Sequence, residues 1–549
     1  MQESVFEGRL DNREQLLRET GLASEPTVPD AALANRLYKN LGIRAFARLT
    51  GDWRAVVADE ARRTCTLAVD HAGCRPLYYC GSGPSFRWSG ALRDLTGPEA
   101  IHDLDSGFMA AWLTNGPAGT RTPFRGISSV APGQAVTLSP DGAAASQYWT
   151  FPETVERISE AEAEDRLRSL FAEAVAVRLH AEGPVVAECS GGLDSSLVVC
   201  TANMLIQQGR IPGRELLAMH YAIEGSGDER FQKEVVRHCR IPLVRIASRD
   251  APLLHEENSH PPLTPAIGAP RLRAVQKLMA AHGASMLLTG QLGDLVMGNY
   301  FDDYDQAGDW FRSGQFWKGV RESAAWSASQ RYPVWRVLGR ALRSAVNLSA
   351  PADWYAGIVR GDASVLSDRL QTEALDRAAT RRRVLTRRDL APSQQRRYHS
   401  LRDILDSGAL RSSELLGTAV VSHPFAHRPL LEFLLRLPAR YLCGPGAPRR
   451  LMRNAFAGVL PRAVLNRRSK ASVTSALYAA ARSTAARFLQ TGEAWRVVAY
   501  GFADAKRLQV QLHRYMQGLP CAEHQIHQLV ALEAWLRGHL QFSRHTTNG

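Results

Sequence analysis

The stretch Ser190-Gly191-Gly192-Leu193-Asp194-Ser195-Ser196 is built for chemistry on anions. Paired glycines let a backbone curl until successive N–H groups point into one concavity, and a following helix adds the positive end of its dipole. Such a loop suits phosphate oxygens, and Ser195 and Ser196 are placed to cap the helix or to donate to the anion. Asp194 is expected to hold a hard cation such as Mg²⁺, which prefers oxygen ligands and bridges to phosphates. Two other anion-handling patterns are excluded. The lysine of a Walker A loop is missing, and Glu188 stands where a hydrolase nucleophile elbow needs its first glycine. Nine basic residues and no acid lie between Arg436 and Lys470, a run that reads as a solvated basic face or a cationic wall. Eight arginines crowd residues 376–400 against Asp376 and Asp389, and are expected on a solvated face or loop, with contact to an acidic peptide or partner protein as the alternative. Cys521, His524 and His527 have a spacing that drifts round a helix and lacks a fourth ligand, so zinc is not expected.

The elements that must position these residues can be read from the surrounding text. Pro184-Val185-Val186-Ala187 is a short apolar strand directly before the glycine turn, and Leu197-Val198-Val199-Cys200 continues as helix. Helical spacing between Ser159 and His180 precedes it, and strands are expected at Leu216–Tyr221, Leu243–Ile246 and Ala284–Leu288. Strands alternating with helices imply a parallel sheet. From about residue 305 the chain reads as helical, without strong strand signals. The first 150 residues differ: strand-like runs at Arg54–Ala58, Cys65–Val69, Pro76–Tyr79 and Gln134–Leu138 are broken by glycine and proline turns, and Cys65, Cys74 and Cys80 are expected buried within it. The chain carries 45% hydrophobic residues, which excludes disorder over its whole length. No apolar run reaches the roughly 18 residues of a membrane helix, and the acidic start Gln2-Glu3 is unlike a secretion signal, so a cytoplasmic protein is expected. Eight cysteines without a C-x-x-C pair exclude a disulfide framework. The net charge of +13 suits an anionic partner, yet no groove-reading motif accompanies the arginines, so nucleic acid is not expected.

The Ser190–Ser196 string resembles the pyrophosphate loop of ATP pyrophosphatases, and the asparagine synthetase branch fits best. In that branch a second strand ends in a loop like Leu288-Thr289-Gly290-Gln291-Leu292-Gly293-Asp294-Leu295, and Asp294 matches its second metal-binding aspartate. Two carboxylates at the C-terminal ends of parallel strands can meet at one cation. The resemblance continues through Ser422–Leu430, where His427 replaces the family's acid, and through Arg449–Phe456 to Lys470, which matches the lysine that steadies charge on the adenylate. Segments 49–59, 69–79 and 127–133 resemble the glutaminase half of the family, but Gln2 stands where its nucleophilic cysteine is needed. The resemblance thus implies an α/β chain: a degenerate glutaminase-like, β-rich α+β domain over 1–152, and over 153–549 a parallel-sheet ATP-pyrophosphatase domain with a helical extension.

Gln291 bears on the substrate. Asparagine synthetases carry an acid there and β-lactam synthetases a tyrosine that assists deprotonation; a glutamine cannot take a proton. An α-amino group, with a pKa of about 7.7–8.0, needs little such help. Among amide-forming relatives the pattern is most similar to lasso peptide cyclases. That resemblance implies a ligase using ATP and Mg²⁺ to adenylate an Asp or Glu side chain of a precursor peptide, which its N-terminal amine then closes into a macrolactam. A leader peptidase and a leader-recognition protein are implied partners. Pyrophosphate would sit on Ser190, Gly191, Gly192, Ser195 and Ser196, Mg²⁺ on Asp194 and Asp294, and ATP along Cys189, His220, Tyr221, Thr289 and Gly290, with Lys470 and Gln291 acting on the reacting groups. An ammonia-dependent asparagine synthetase, a β-lactam synthetase and a non-catalytic scaffold remain the alternatives.

Overall fold

Short strand-forming runs between residues 5 and 147 make two antiparallel sheets, and the inner strand is buried on both faces from Cys65 to Val69. Strands β1 (Val5–Leu10), β2 (Gly51–Asp59), β3 (Thr64–Val69), β7 (Gln134–Ser139) and β8 (Gly142–Gln147) form one, in the order β1-β2-β3-β7-β8. Strands β4 (Tyr78–Cys80), β5 (Arg87–Ser89) and β6 (Ile127–Ser129) form the other, in the order β5-β4-β6. The expected strands at 54–58, 65–69 and 134–138 all lie within these elements, while the one placed at 76–79 begins two residues later. The computed structural model describes residues 4–23, 25, 27–81, 85–180, 183–223, 226–254, 262–298, 304–346, 364–385, 387, 389–468, 474–490, 492 and 494–547.

After the helix Glu160–Ala176 the architecture becomes parallel. This helix starts on a reciprocal cap: Ser159 accepts from the Glu162 N–H, and the Glu162 carboxylate accepts from the Ser159 N–H. Strands β9 (Val185–Glu188), β10 (Leu216–Ala222), β11 (Leu243–Ala247), β12 (Met286–Leu288) and β13 (Val420–Ser422) follow, all parallel, in the order β11-β10-β9-β12-β13. Val185, Val186, Ala187 and Leu288 are fully buried, as a sheet covered on both faces requires. β13 corrects the expectation of a strand-free C-terminal half. It is three residues long within helical text, so no periodicity could reveal it; its pairing with β12, from Met286 opposite Val420 to Leu288 opposite Ser422, makes it a strand.

The order places the functional elements. β9 is central, the chain moves outward from it to β10 and β11, and β12 returns on its other side. Loops leaving β9 and β12 therefore diverge and leave a crevice at the C-terminal ends of the strands. The sequence directs both glycine loops there. Beyond the sheet, helices Tyr304–Arg312, Phe316–Gln330 and Val334–Ala345 pack around their own small core of Tyr304, Trp326 and Val337.

Candidate active site

β9 ends at Glu188, and residues 189–192 turn into the helix Leu193–Gln207. Gly191 has φ +75° and lies so close to the helix Asp228–Cys239 that a Cβ would come within 2.5 Å of the Gln232 nitrogen. Glycine is needed there for conformation and for space. The helix is capped by Gly192, with no side-chain cap, so neither Ser195 nor Ser196 caps it. The Ser195 hydroxyl instead ties the loop to itself, accepting from the Ser190 N–H at 3.1 Å and sharing a 2.9 Å hydrogen bond with the Ser190 hydroxyl. Ser196 is fully buried and its hydroxyl has no hydrogen-bond partner among the described residues. Ser190 is exposed, and the first helical N–H groups are left for a ligand.

β12 delivers the second loop. Thr289 to Leu292 turn into a short helix, Gly293–Val296, entered through Leu292 at φ +69°. The two loops touch along their backbones: a Cβ on Gly290 would approach the Ser195 nitrogen to 2.6 Å. Asp194 and Asp294, a hundred residues apart in sequence, are thereby brought to one place. Between them lies the guanidinium of Arg449, one nitrogen paired with each carboxylate. Arg449 is 2% exposed and has φ +54°, a left-handed start to the helix Arg450–Ala455. Arg467, 6% exposed, donates to the Gly191 carbonyl at 2.9 Å, pairs with Asp228 and lies over the Phe231 ring at 4.3 Å. These residues border a cavity of about 570 Å³ lined by Glu188, Ser190, Gly192, Leu193, Asp194, Ser195, Gly290, Gln291, Leu292, Asp294, Leu295, Ile404, Ala409, Leu410, Arg449 and Arg467.

Other expected contact residues support the loops without lining that cavity. Cys189 is buried, its thiol pushed up to about 12 by burial, and its carbonyl accepts from His220 Nδ1 at 3.0 Å. Burial lowers the His220 pKa. Tyr221 lies under the Arg271 guanidinium at 4.9 Å. Thr289 is 3% exposed and meets His423 Nδ1 at 2.7 Å, while His423 Nε2 lies 3.1 Å from the Leu410 carbonyl. A carbonyl only accepts, so Nε2 carries the proton and Nδ1 accepts from the Thr289 hydroxyl. Burial holds His423 neutral by pushing its pKa down to about 4. Thr289 Oγ1 in turn accepts from the Gln291 N–H at 3.2 Å, so one hydrogen-bonded chain fixes the turn that presents Gln291. Lys470 lies outside the described residues.

Sequence reasoning missed Glu188, His423, Arg449 and Arg467 as individuals. Glu188 is the traceable one: it ends an otherwise apolar strand, and burial pushes its carboxyl up to about 7. Of the nine basic residues from 436 to 470, Arg449 and Arg467 line the cavity. The run as a whole is not one cationic wall: Arg453 is turned to the carbonyls of Pro448 and Arg467, and Arg450 to Glu160. Nor do the five arginines of 376–400 whose side chains are described form a solvated face. Arg381 pairs with Asp403 and Asp406 at 2.7 and 2.8 Å, Arg387 with Glu153 and Asp389, Arg396 with Asp305, and Arg397 donates to the carbonyls of Leu434 and Leu437. Apart from Asp389, these partners lie 22 or more residues away along the chain, where local composition cannot reveal them. His427 does find acids, lying 3.3 Å from Asp11 and 3.9 Å from Glu173. Cys80 is half-buried rather than buried. His527 is hydrogen-bonded to the Tyr515 hydroxyl at 2.8 Å, and among the described residues no group of three or more ligating side chains could hold a metal ion.

Comparison with known proteins agrees with this geometry. The chain is 30% identical over 217 residues to asparagine synthetase [glutamine-hydrolyzing] 3 of Bacillus subtilis, a match covering 38% of this chain and 35% of that protein. It is 27% identical over 299 residues to amidase chry2 of Gibberella zeae, covering 49% and 43%. It is 29% identical over 239 residues to the carboxyethyl-arginine beta-lactam-synthase of Streptomyces clavuligerus, covering 43% of each. The chain thus spans less than half the length of these relatives. The glutamine amidotransferase domain model matches residues 4–149, where the antiparallel sheets lie. The asparagine synthase model matches residues 166–537, well over half of the chain and the whole parallel sheet with both glycine loops, and the chain belongs to that family.

Proposed function

We propose that this protein is an ATP-dependent lasso peptide cyclase. The observation that carries the reading is the meeting of loops 190–195 and 289–294 around Asp194 and Asp294, with Gln291 rather than an acid at the cavity wall. The backbone N–H groups at the start of the helix Leu193–Gln207 and the Ser190 hydroxyl would hold the pyrophosphate oxygens, with Arg449 and Arg467 supplying cations beside them. A divalent ion fits the donor set, because two oxygen-bearing side chains already converge on one cationic group; Asp194 and Asp294 would hold Mg²⁺, which supplies neutralising charge for the phosphates.

In the reaction a carboxylate oxygen of the precursor peptide attacks the α-phosphorus of ATP. The bond to the bridging oxygen breaks and pyrophosphate leaves. The N-terminal amine then attacks the acyl carbon, AMP departs with the carbon–oxygen electron pair, and the amine proton is lost. The fixed guanidinium of Arg467 and, by the family resemblance, Lys470 stabilise charge on the leaving groups. Gln291 can orient the incoming amine but cannot take its proton, which suits a nucleophile already partly neutral. Residues 1–152 serve as a scaffold that makes no ammonia: Gln2 stands where the nucleophilic cysteine is needed, and burial raises the Cys65 thiol to about 11 and the Cys74 thiol well above its ordinary value, opposite to what a thiolate nucleophile needs.

Incubation with ATP, Mg²⁺ and a leaderless precursor peptide tests this reading through pyrophosphate release and peptide mass. Peptide-dependent turnover with loss of one water is expected, abolished by Asp194→Ala, with glutamine giving no ammonia. Turnover with aspartate and ammonia but with no peptide would replace the cyclase by an asparagine synthetase.

A further inference from the structure

The helical hairpin that follows the second glycine loop carries a surface unlike the rest of the molecule. Its helices, Phe316–Gln330 and Val334–Ala345, are joined by three residues and run antiparallel. Among the described residues, seven of the twelve large hydrophobic side chains that are exposed belong to this one unit and its end: Phe316, Trp317, Tyr332, Val334, Trp335, Leu342 and Val346. The indoles project furthest, Trp317 being 80% and Trp335 74% exposed. In the second helix Val337, Ala341 and Ser344 face inward, while Val334, Leu338, Leu342 and Val346 follow one another at four-residue spacing on a second, outward stripe. Arg336, Arg340 and Arg343 occupy the remaining exposed face.

The charge is as one-sided as the apolarity. Six basic residues and a single acid, Glu322, lie between Phe316 and Val346. Glu322 accepts from the Trp326 indole at 3.2 Å. Lys318, Arg321, Arg331, Arg336, Arg340 and Arg343 are all exposed, and none has an ion-pair partner among the described residues. This contrasts with Arg377, Arg381, Arg387, Arg396 and Arg397, which are matched by acids and carbonyls of the same chain. Arg336 and Arg340 lie over the Tyr332 and Tyr304 rings at 5.3 and 5.1 Å, and a stripe of protruding aromatic and aliphatic side chains flanked by arginines without an ion pair among the described residues has the composition of a helix lying in a lipid interface. A protein-binding hot spot sits instead in a packed pocket with a polar rim. Trp317, edge-on to the Phe316 ring at 5.8 Å, and Trp335 remain largely exposed, which suits indoles to the headgroup layer, where an amphipathic ring is half wet.

We propose that the hairpin 316–346 docks the protein peripherally on an anionic lipid bilayer. Phe316, Trp317, Trp335, Leu342 and Val346 enter the interface, and the basic side chains meet lipid phosphates. No described helix is long and apolar enough to cross a membrane. The docking is independent of the reaction proposed above.

Flotation of the full chain with vesicles tests the proposal. Binding is expected to phosphatidylglycerol–phosphatidylcholine vesicles in equal parts, with a blue shift of tryptophan emission, and not to phosphatidylcholine alone. At roughly one factor of five per basic residue, Arg336→Gln/Arg340→Gln/Arg343→Gln should weaken it about a hundredfold. Trp317→Ala/Trp335→Ala should weaken it at least tenfold and remove the blue shift. All five side chains are exposed, so circular dichroism should match the wild type. Failure of the wild type to float with anionic vesicles overturns the proposal, as does undiminished binding by both variants. Binding to polyglutamate but to no vesicle also overturns it, and assigns the surface to an acidic polypeptide.

Discussion

Arg449 and Glu188 show how much of the site's electrostatics rests on single side chains. A guanidinium shared between Asp194 and Asp294 offsets the repulsion of two carboxylates held close together, and competes with any metal for the same oxygens. Replacing it should uncover that repulsion. In Arg449→Met the nucleotide-free protein is expected to bind Mn²⁺ about tenfold more tightly, a difference of about 1.4 kcal/mol readable by electron paramagnetic resonance. Unchanged affinity would mean that the arginine does not occupy the cation position in solution. Glu188 acts in the other direction. Burial raises its carboxyl to about 7, above its ordinary 4.5, so folding favours the protonated form. Stability from that form is complete below about pH 4.5 and lost as pH rises through about 7. Glu188→Gln should therefore be more stable than the wild type by about 1–3 kcal/mol near pH 8, with the difference vanishing toward pH 4.5 in urea denaturation.

At the scale of elements, the site is the contact between two strand–loop–helix units. Their approach is limited by backbone, since a Cβ on Gly290 would meet the Ser195 nitrogen at 2.6 Å and that wall cannot rotate away. Gly290→Ala should push the loops apart. The expected outcome is at least a tenfold loss of ATP affinity in calorimetry, with a stability loss of about 1–2 kcal/mol. Equal ATP affinity would show that the contact is dispensable. These units were legible in the sequence because a short apolar strand followed by glycines is a local signal. β13 was not, because three residues carry no periodicity and its strand character comes from pairing with β12. The capping alternative for Ser195 and Ser196 falls for a related reason: which residue caps a helix depends on where the turn ends, and here it ends at Gly192.

Across the whole molecule, the antiparallel and parallel sheets are joined through a buried polar network. Arg178, 1% exposed, donates to Ser422 at 2.8 Å at the end of β13, to the Ala174 carbonyl at 2.8 Å and to Asp52 of β2 at 3.3 Å. Arg9 of β1 reaches Asp52 at 3.0 Å. Burial works to raise the Asp52 carboxyl, yet Arg178 and Arg9 hold it well below the usual range. Arg178→Met would leave that buried charge half-compensated, and about 3–5 kcal/mol of stability should be lost in urea denaturation. The double variant Arg178→Met/Asp52→Asn should recover part of it, since no buried charge is then left short of a partner. A single variant as stable as the wild type would show that the network is not a structural link.

The amino-acid sequence by itself determined the parallel sheet, the two glycine loops at its strand ends and the pair of aspartates they carry. Those are consequences of short-range rules, in which apolar runs make strands and glycines permit turns that other residues resist. Only the tertiary structure decided that Arg449 and Arg467, out of the nine basic residues from Arg436 to Lys470, border the cavity, that the arginines of 376–400 with described side chains are matched within the chain, and that those of 316–346 have no ion-pair partner among the described residues. It also decided that Glu188 is buried enough to hold its proton near neutral pH. Charge and burial are properties of neighbours, and the neighbours of Arg449 lie 255 and 155 residues away along the chain, so no local pattern could announce them.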